Sequence, residues 1–188
     1  MNAAEWYSAR AGGMVAYVLL TAVVLVGLAM SGRERIDGWP RFALEDVHRF
    51  LGALTGLFIS LHVFTLAVDA EAGFSLGALI VPFASAYRPF WTGVGVVAAE
   101  LLLALAVANH YRDRLSYRTW RRLHYLNFVV WIAATAHGLG AGTDTGSFPF
   151  AAVYGAAIAC VVALTARRVV RTGTPRGTAG VSAANGQV

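Results

Sequence analysis

Lysine is absent from all 188 residues, so every fixed positive side chain is one of 15 arginines. Charge of either sign is scarce. Charged residues are 13% of the chain and hydrophobic ones 57%, where a soluble domain carries about 25% charged residues. The single cysteine, Cys160, excludes an intrachain disulfide, and without a CxxCH motif there is no covalent c-type haem attachment. No GxGxxG or P-loop appears, so no flavin or nicotinamide site is expected in this chain. The arginines gather in a few loops between apolar runs, which argues for membrane topology and against a nucleic-acid partner.

What the chain has in abundance is apolar length. Five segments stand out: Met14 to Met30, Val47 to Val68, Trp91 to Ala108, Leu123 to Leu139 and Phe148 to Ala166. Each is near the length that crosses a bilayer core, about 20 residues. Hydrocarbon offers no partner for backbone polar groups, and the alternation of a membrane barrel strand is missing, so the segments read as helices. The expected fold is all-α, a polytopic membrane bundle of about five transmembrane helices spanning 14–167. Residues 1–13 then form an extracytoplasmic N-terminus. Residues 168–188 form a cytoplasmic tail that is small, polar and unstructured. Segment one has only Arg10 ahead of a long apolar core, so it reads as a retained helix, with a cleaved signal peptide as the alternative. Residues 72–86 are apolar but short and interrupted by Pro82, which suggests a cap or interfacial helix on the outer face.

Arginine placement orients the bundle. Arg33, Arg35, Arg41, Arg49, the five arginines between Arg112 and Arg122, and Arg167, Arg168, Arg171 and Arg176 fall on one side of a five-helix arrangement. Only Arg10 and Arg88 fall on the other. The positive-inside rule puts the N-terminus outside and the C-terminus in the cytoplasm. Aromatic residues at the segment edges agree: Trp6, Tyr7, Trp39, Tyr87, Trp91, Tyr117 and Trp120.

Four histidines lie in or beside two of these segments, in two similar pairs. His48 and His62 are fourteen residues apart, and His124 and His137 thirteen. At 1.5 Å per residue each pair spans roughly 20 Å, about two-thirds of the bilayer core. Segments two and four run in the same direction, so His48 shares a depth with His124 at the inner end and His62 with His137 nearer the outer end. Imidazole is a strong axial ligand for haem iron, and two per iron leave no open coordination position. Two stacked, non-covalent b-type haems are therefore expected, held by His48/His124 and His62/His137. Helical phase is less accommodating: thirteen residues turn an ideal helix to roughly 140° from its starting face. A distortion, a tilt or an irregular start before His124 is needed. His110 lacks a counterpart and reads as an interfacial residue.

Other residues fill in this picture. Gly52 and Gly56 follow His48 by one and two turns, where a flat macrocycle needs close backbone, although small residues four apart also serve helix packing. Gly138 follows His137. Arg49, Arg121 and Arg122 are at the depth of the inner haem propionates and Arg88 at that of the outer ones; each also serves as a topology determinant. Glu100 stands mid-segment, where a carboxylate is costly and functional or internally bonded.

HRFLGALTGLFISLH and YRTWRRLHYLNFVVWIAATAHG resemble the two haem helices of the ferric reductase-like transmembrane domain. That superfamily includes eukaryotic ferric reductases, NADPH oxidases and the haem-binding membrane subunit of a bacterial methionine sulfoxide reductase. PFASAYRPFWTGVGVVAAELLL is similar to the outer loop and next helix of bacterial members. The resemblance covers roughly residues 12–167 and implies the same haem pairing. It implies a bacterial inner-membrane cytochrome that passes electrons outward. The donor would be a separate flavoprotein reductase or a quinol, and the acceptor ferric iron, oxygen or an extracytoplasmic redox protein. The chain departs from the family in showing five helices where many members have six, and in lacking the oxidases' flavin and nicotinamide domain. Leu66 stands where the oxidases carry a further histidine, which argues against efficient superoxide production. The alternatives are a quinol-linked haem subunit of a periplasmic reductase, and a haem-free membrane anchor or transporter fragment.

Overall fold

The computed structural model describes residues 3–31, 39–69 and 74–173, with side chains described for 8–31, 39–69 and 74–170. Seven α-helices follow in order: α1 (Ala3–Ser31), α2 (Arg41–Val68), α3 (Leu76–Ile80), α4 (Pro89–His110), α5 (Tyr117–Tyr125), α6 (Asn127–Ala141) and α7 (Phe148–Gly173), with a 3-10 turn at Arg112–Arg114. The fold is all-α. Four helices among the described residues are long and apolar enough to cross a membrane: Ser8–Ser31, Arg41–Val68, Pro89–His110 and Phe148–Val170. This is a multi-pass membrane protein.

The fourth apolar segment corrects the expected count of five continuous spans. It is divided at Leu126 into α5 and the 15-residue α6. At the division the Leu126 N–H bonds back to Leu123 O at 2.9 Å, a tight three-residue turn, and Asn127 Nδ2 donates to the His124 carbonyl at 2.8 Å. A side chain thus takes up a carbonyl at the join, as unpaired backbone at membrane depth demands. α5 starts where Ser116 Oγ accepts from Thr119 N at 3.2 Å, an N-cap that marks the helix start in sequence as well.

Residues 74–88 link α2 to α4. Ser75 Oγ accepts from Ala78 N to start α3, five residues long, and the chain then turns into α4. Pro89 begins α4, where its missing N–H costs nothing. The positions 72 and 73 of the expected cap lie outside the described residues. So do Arg33, Arg35, Arg176, the side chains of Trp6, Tyr7 and Arg171, and the 174–188 portion of the expected tail. α7 continues as helix to Gly173.

α1 is apolar on every side and sits centrally, antiparallel to α2 and packed also on α6 and α7, while α4 packs on α6. The core joins Tyr17, Leu20, Val24 and Leu28 of α1 to Leu105 of α4, Val130 and Trp131 of α6, and Tyr154 and Val161 of α7. Buried hydrogen bonds reinforce this packing. Trp131 Nε1 donates to Thr21 Oγ1 at 3.0 Å, Thr21 Oγ1 donates to Tyr17 O at 2.9 Å, and Tyr17 Oη meets Thr135 Oγ1 at 3.2 Å. In lipid, apolar contact alone does not favour helix over tail, so such polar links supply association, each about 0.6 to 2 kcal/mol. The result is that α2 and α6 stand on either side of a space bounded by α1 and α4.

Candidate functional site

The two histidine pairs meet across that space. The rings of His48 and His124 have centroids 6.1 Å apart, and those of His62 and His137 are 6.5 Å apart. The division at Leu126 supplies the change of direction that the thirteen-residue spacing called for, since both α5/α6 histidines now face α2. Two imidazoles bound to opposite sides of one metal have a defined spacing. A metal–nitrogen bond of about 2.0–2.1 Å on each side, plus roughly 1.1 Å from nitrogen to ring centre, sums to about 6.3 Å. Both ring separations lie close to that figure.

Neighbouring helices orient the rings. His62 Nδ1 donates to Ala9 O at 2.7 Å, and His137 Nδ1 to Trp91 O at 2.9 Å, in the tautomer that leaves each Nε2 free. A ligating histidine is commonly held in this way, by a backbone carbonyl on the other ring nitrogen. His48 Nδ1 is buried without a partner at hydrogen-bond geometry, with the Val23 carbonyl acting on it. Ala9 and Val23 repeat the fourteen-residue spacing of the histidines on the antiparallel helix.

Glycines make room for the rings. A Cβ on Gly13 would lie 3.1 Å from the His62 ring, and one on Gly27 would lie 3.3 Å from His48 Cε1. A Cβ on Gly95 would overlap His137 outright. These three glycines back the rings, whereas Gly52 and Gly56 have nothing within 4 Å of where a Cβ would stand. Gly138 packs against Tyr154. The pattern was open to reading in Gly13 and Gly27, spaced like the histidines opposite; Gly95 had no such signal.

A cavity of about 260 Å³ opens between His62 and His137, lined also by Gly13, Leu66, Gly95 and Arg10. Arg10 ion-pairs with Asp144 and stands 5.7 Å over the Phe150 ring. In sequence Arg10 served only as a topology mark; the approach of α1 to the 142–147 loop brings it to the cavity. Arg88 is occupied elsewhere, its Nη1 donating to Gly140 O at 2.6 Å and Gly142 O at 3.3 Å, which ties α4's start to α6's end.

At the His48/His124 level, Trp120 stacks on His124 with centroids 5.2 Å apart and planes 26° apart, and its Nε1 donates to Asn109 Oδ1 at 3.3 Å. Arg121 donates to the hydroxyls of Tyr125 and Tyr117, Arg49 pairs with Asp46 at 3.8 Å, and Arg122 is exposed. His110 contacts Tyr111 and joins neither pair. Among the described residues no group of three or more His, Cys, Asp or Glu side chains gathers as a metal site; the histidines meet in twos.

The family model described as "Ferric reductase like transmembrane component" matches residues 12–135. The chain belongs to that family. The match runs from Gly12 within α1, through α2 to α5, to Thr135 within α6, and so contains His48, His62 and His124, ending two residues before His137. This ferric reductase-like component is thereby linked to oxidoreductases that transfer electrons in membranes. No solved structure matches the chain.

Proposed function

We propose that this ferric reductase-like component is a b-type cytochrome that holds two haems and carries electrons from the cytoplasmic to the outer side. The observation that carries the reading is the pair of ring separations, 6.1 and 6.5 Å, at two depths on the same two helical segments. Bound haem would supply a reversible one-electron iron couple with no open coordination position. The protein's part is to bind and orient. His48 and His124 ligate at the inner level, His62 and His137 at the outer. Ala9 and Trp91 carbonyls set the outer tautomers and raise ligand basicity. Arg10, ion-paired with Asp144, lines the outer cavity. Arg49, Arg121 and Arg122 stand toward the inner end and serve propionates there, with Arg88 bracing the outer end. The excess of arginines on the α4–α5 side supports that side as cytoplasmic. A separate flavoprotein or quinol is the donor, and ferric iron or an extracytoplasmic redox protein the acceptor.

Purified protein from haem-replete membranes is expected to give a non-covalent haem-to-protein ratio near two by pyridine haemochrome assay. A ratio near zero rejects the cytochrome reading, and a ratio near one rejects the two-level arrangement.

Trp120 gives a second, local test. Its stacking on His124 and its anchor on Asn109 restrict the orientation of that ring, at the usual aromatic-pair magnitude of about 0.5–1.5 kcal/mol. Trp120→Ala is expected to shift the electron paramagnetic resonance g-values of the inner low-spin haem while leaving the outer signal in place. Trp120→Phe, which keeps the stack, is expected to shift them less. Equal spectra for all three proteins would show that Trp120 does not orient the ligand.

A further inference from the structure

Glu100, the carboxylate in mid-α4, is exposed and does not line the cavity between His62 and His137. The carboxylate that the fold brings to that cavity is Asp144, in the loop that joins α6 to α7. This loop meets the supports of both rings. The carbonyl of Ala9 holds His62 at Nδ1, and that of Trp91 holds His137. Next to Ala9 is Arg10, which ion-pairs with Asp144 and lies 5.7 Å over the Phe150 ring of α7. Three residues before Trp91 is Arg88, whose Nη1 donates to Gly140 O at 2.6 Å and Gly142 O at 3.3 Å. Beside it, Tyr87 Oη donates to Ala141 O at 3.0 Å. The two helices that present a carbonyl to a ring, α1 and α4, are thus fastened to one stretch, 140–144. That stretch is itself fixed. The Asp144 carbonyl accepts from Ser147 N at 2.8 Å, closing a turn in which aspartate is a favoured first residue. Arg88 keeps a left-handed backbone, φ 41°, which is unfavourable for a residue with a Cβ, and its two carbonyl bonds hold it there. The other level differs: among the described residues, His48 Nδ1 is buried without a hydrogen-bond partner.

We infer that the 140–144 stretch is the clamp that orients the His62/His137 ligand pair, a role that rests on the two-haem reading. Asp144 is a positioning residue that acts on His62 through Arg10 and Ala9. Arg88 is one that acts on His137 through the first turn of α4. An ion pair with a partly exposed partner adds little to stability, so its effect falls on geometry and not on folding. A carbonyl on the second ring nitrogen fixes the rotation of a ligating imidazole and raises its basicity. Hydrogen bonding around the axial ligands is in turn one of the levers on a haem's potential. Asp144 also sets the charge of the cavity wall, where it stands with Arg10. One negative charge fewer beside the iron favours the reduced state.

The test uses the full chain purified from haem-replete membranes. Each haem is followed by its low-spin electron paramagnetic resonance signal and its midpoint potential. The His62/His137 signal is the one that His62→Ala deletes. Asp144→Asn is expected to shift the g-values of that signal, or at the extreme to delete it, and to raise the potential of that haem. Asp144→Glu, which keeps the ion pair, is expected to stay near the parent. The exchanged pair, Arg10→Asp with Asp144→Arg, is expected to return the g-values toward the parent's. Arg88→Gln is expected to shift the same signal through His137. The other signal is the control for folding within the same molecule, and every variant should keep it unchanged. A parent with two haems whose Asp144→Asn variant has unshifted g-values and potentials overturns the proposal and leaves the cytochrome reading in place. So does a shift of both signals together, or one that Asp144→Glu shares in full. A parent-like signal in Arg88→Gln removes α4 from the clamp. A parent without haem rejects the cytochrome reading and the clamp with it.

Discussion

Alanine at His62 or at His137 is expected to remove the same haem and leave the other, lowering the haem-to-protein ratio from near two to near one. Alanine at His48 or at His124 is expected to remove the second. The grouping follows from ring contacts: each imidazole meets one ring of the other segment, at 6.1 or 6.5 Å. If the pairs hold haem as proposed, loss of either histidine would leave the iron one protein ligand short, changing both retention and spin state. Electron paramagnetic resonance on the four single variants separates the cases, since each pair should delete one low-spin signal. Grouping of His48 with His137 would contradict the arrangement of α2 against α5 and α6. Unchanged spectra in all four would remove histidine ligation altogether.

Gly95→Val is expected to be nearly as damaging as removal of His137 itself. The new Cβ would occupy the position of the imidazole, so the ring must leave Trp91 O and turn away from His62. Overpacking costs about 1–3 kcal/mol, and here the strain falls directly on a proposed ligand. The expected result is a protein that inserts normally, keeps the inner haem signal and loses the outer one. Gly52→Ala is the comparison for protein packing, because no protein atom lies within 4 Å of its added methyl. It should retain both signals. An intact outer signal in Gly95→Val would mean that α4 does not back His137, and loss of haem in Gly52→Ala would mean that a macrocycle lies against Gly52.

The contrast between these glycines shows where sequence reasoning reached its end. Gly52 and Gly56 drew notice because they share a helix face with His48, and periodicity reports on a residue's own helix. Gly27 and Gly95 matter because another helix brings a ring to them. Nothing in the α4 sequence indicates that Gly95 lies against a side chain 42 positions along the chain. The same holds for charge. Arg10 and Asp144 are 134 positions apart and meet only because α1 and the loop before α7 end at the same level. Arg88, assigned by depth to an anionic ligand, instead donates to the end carbonyls of α6, which no pattern in its own segment announces.

Which histidines share a level along the helices was legible from the sequence alone. A helix rises by a fixed 1.5 Å per residue, apolar runs mark where it enters and leaves, and arginines mark the side. Those rules paired His48 with His124 and His62 with His137 before any contact was known. They also showed that a thirteen-residue spacing cannot hold both partners on one straight helix. How the conflict is resolved was left to the tertiary structure. A tight turn at Leu126, with Asn127 taking up the His124 carbonyl, splits the segment into α5 and α6 and turns both rings toward α2. The ring tautomers, the backing glycines and the outward aim of Glu100 were settled there too. Rise along an axis is a property of one helix, whereas azimuth, tilt and approach exist only between helices and depend on how their surfaces pack.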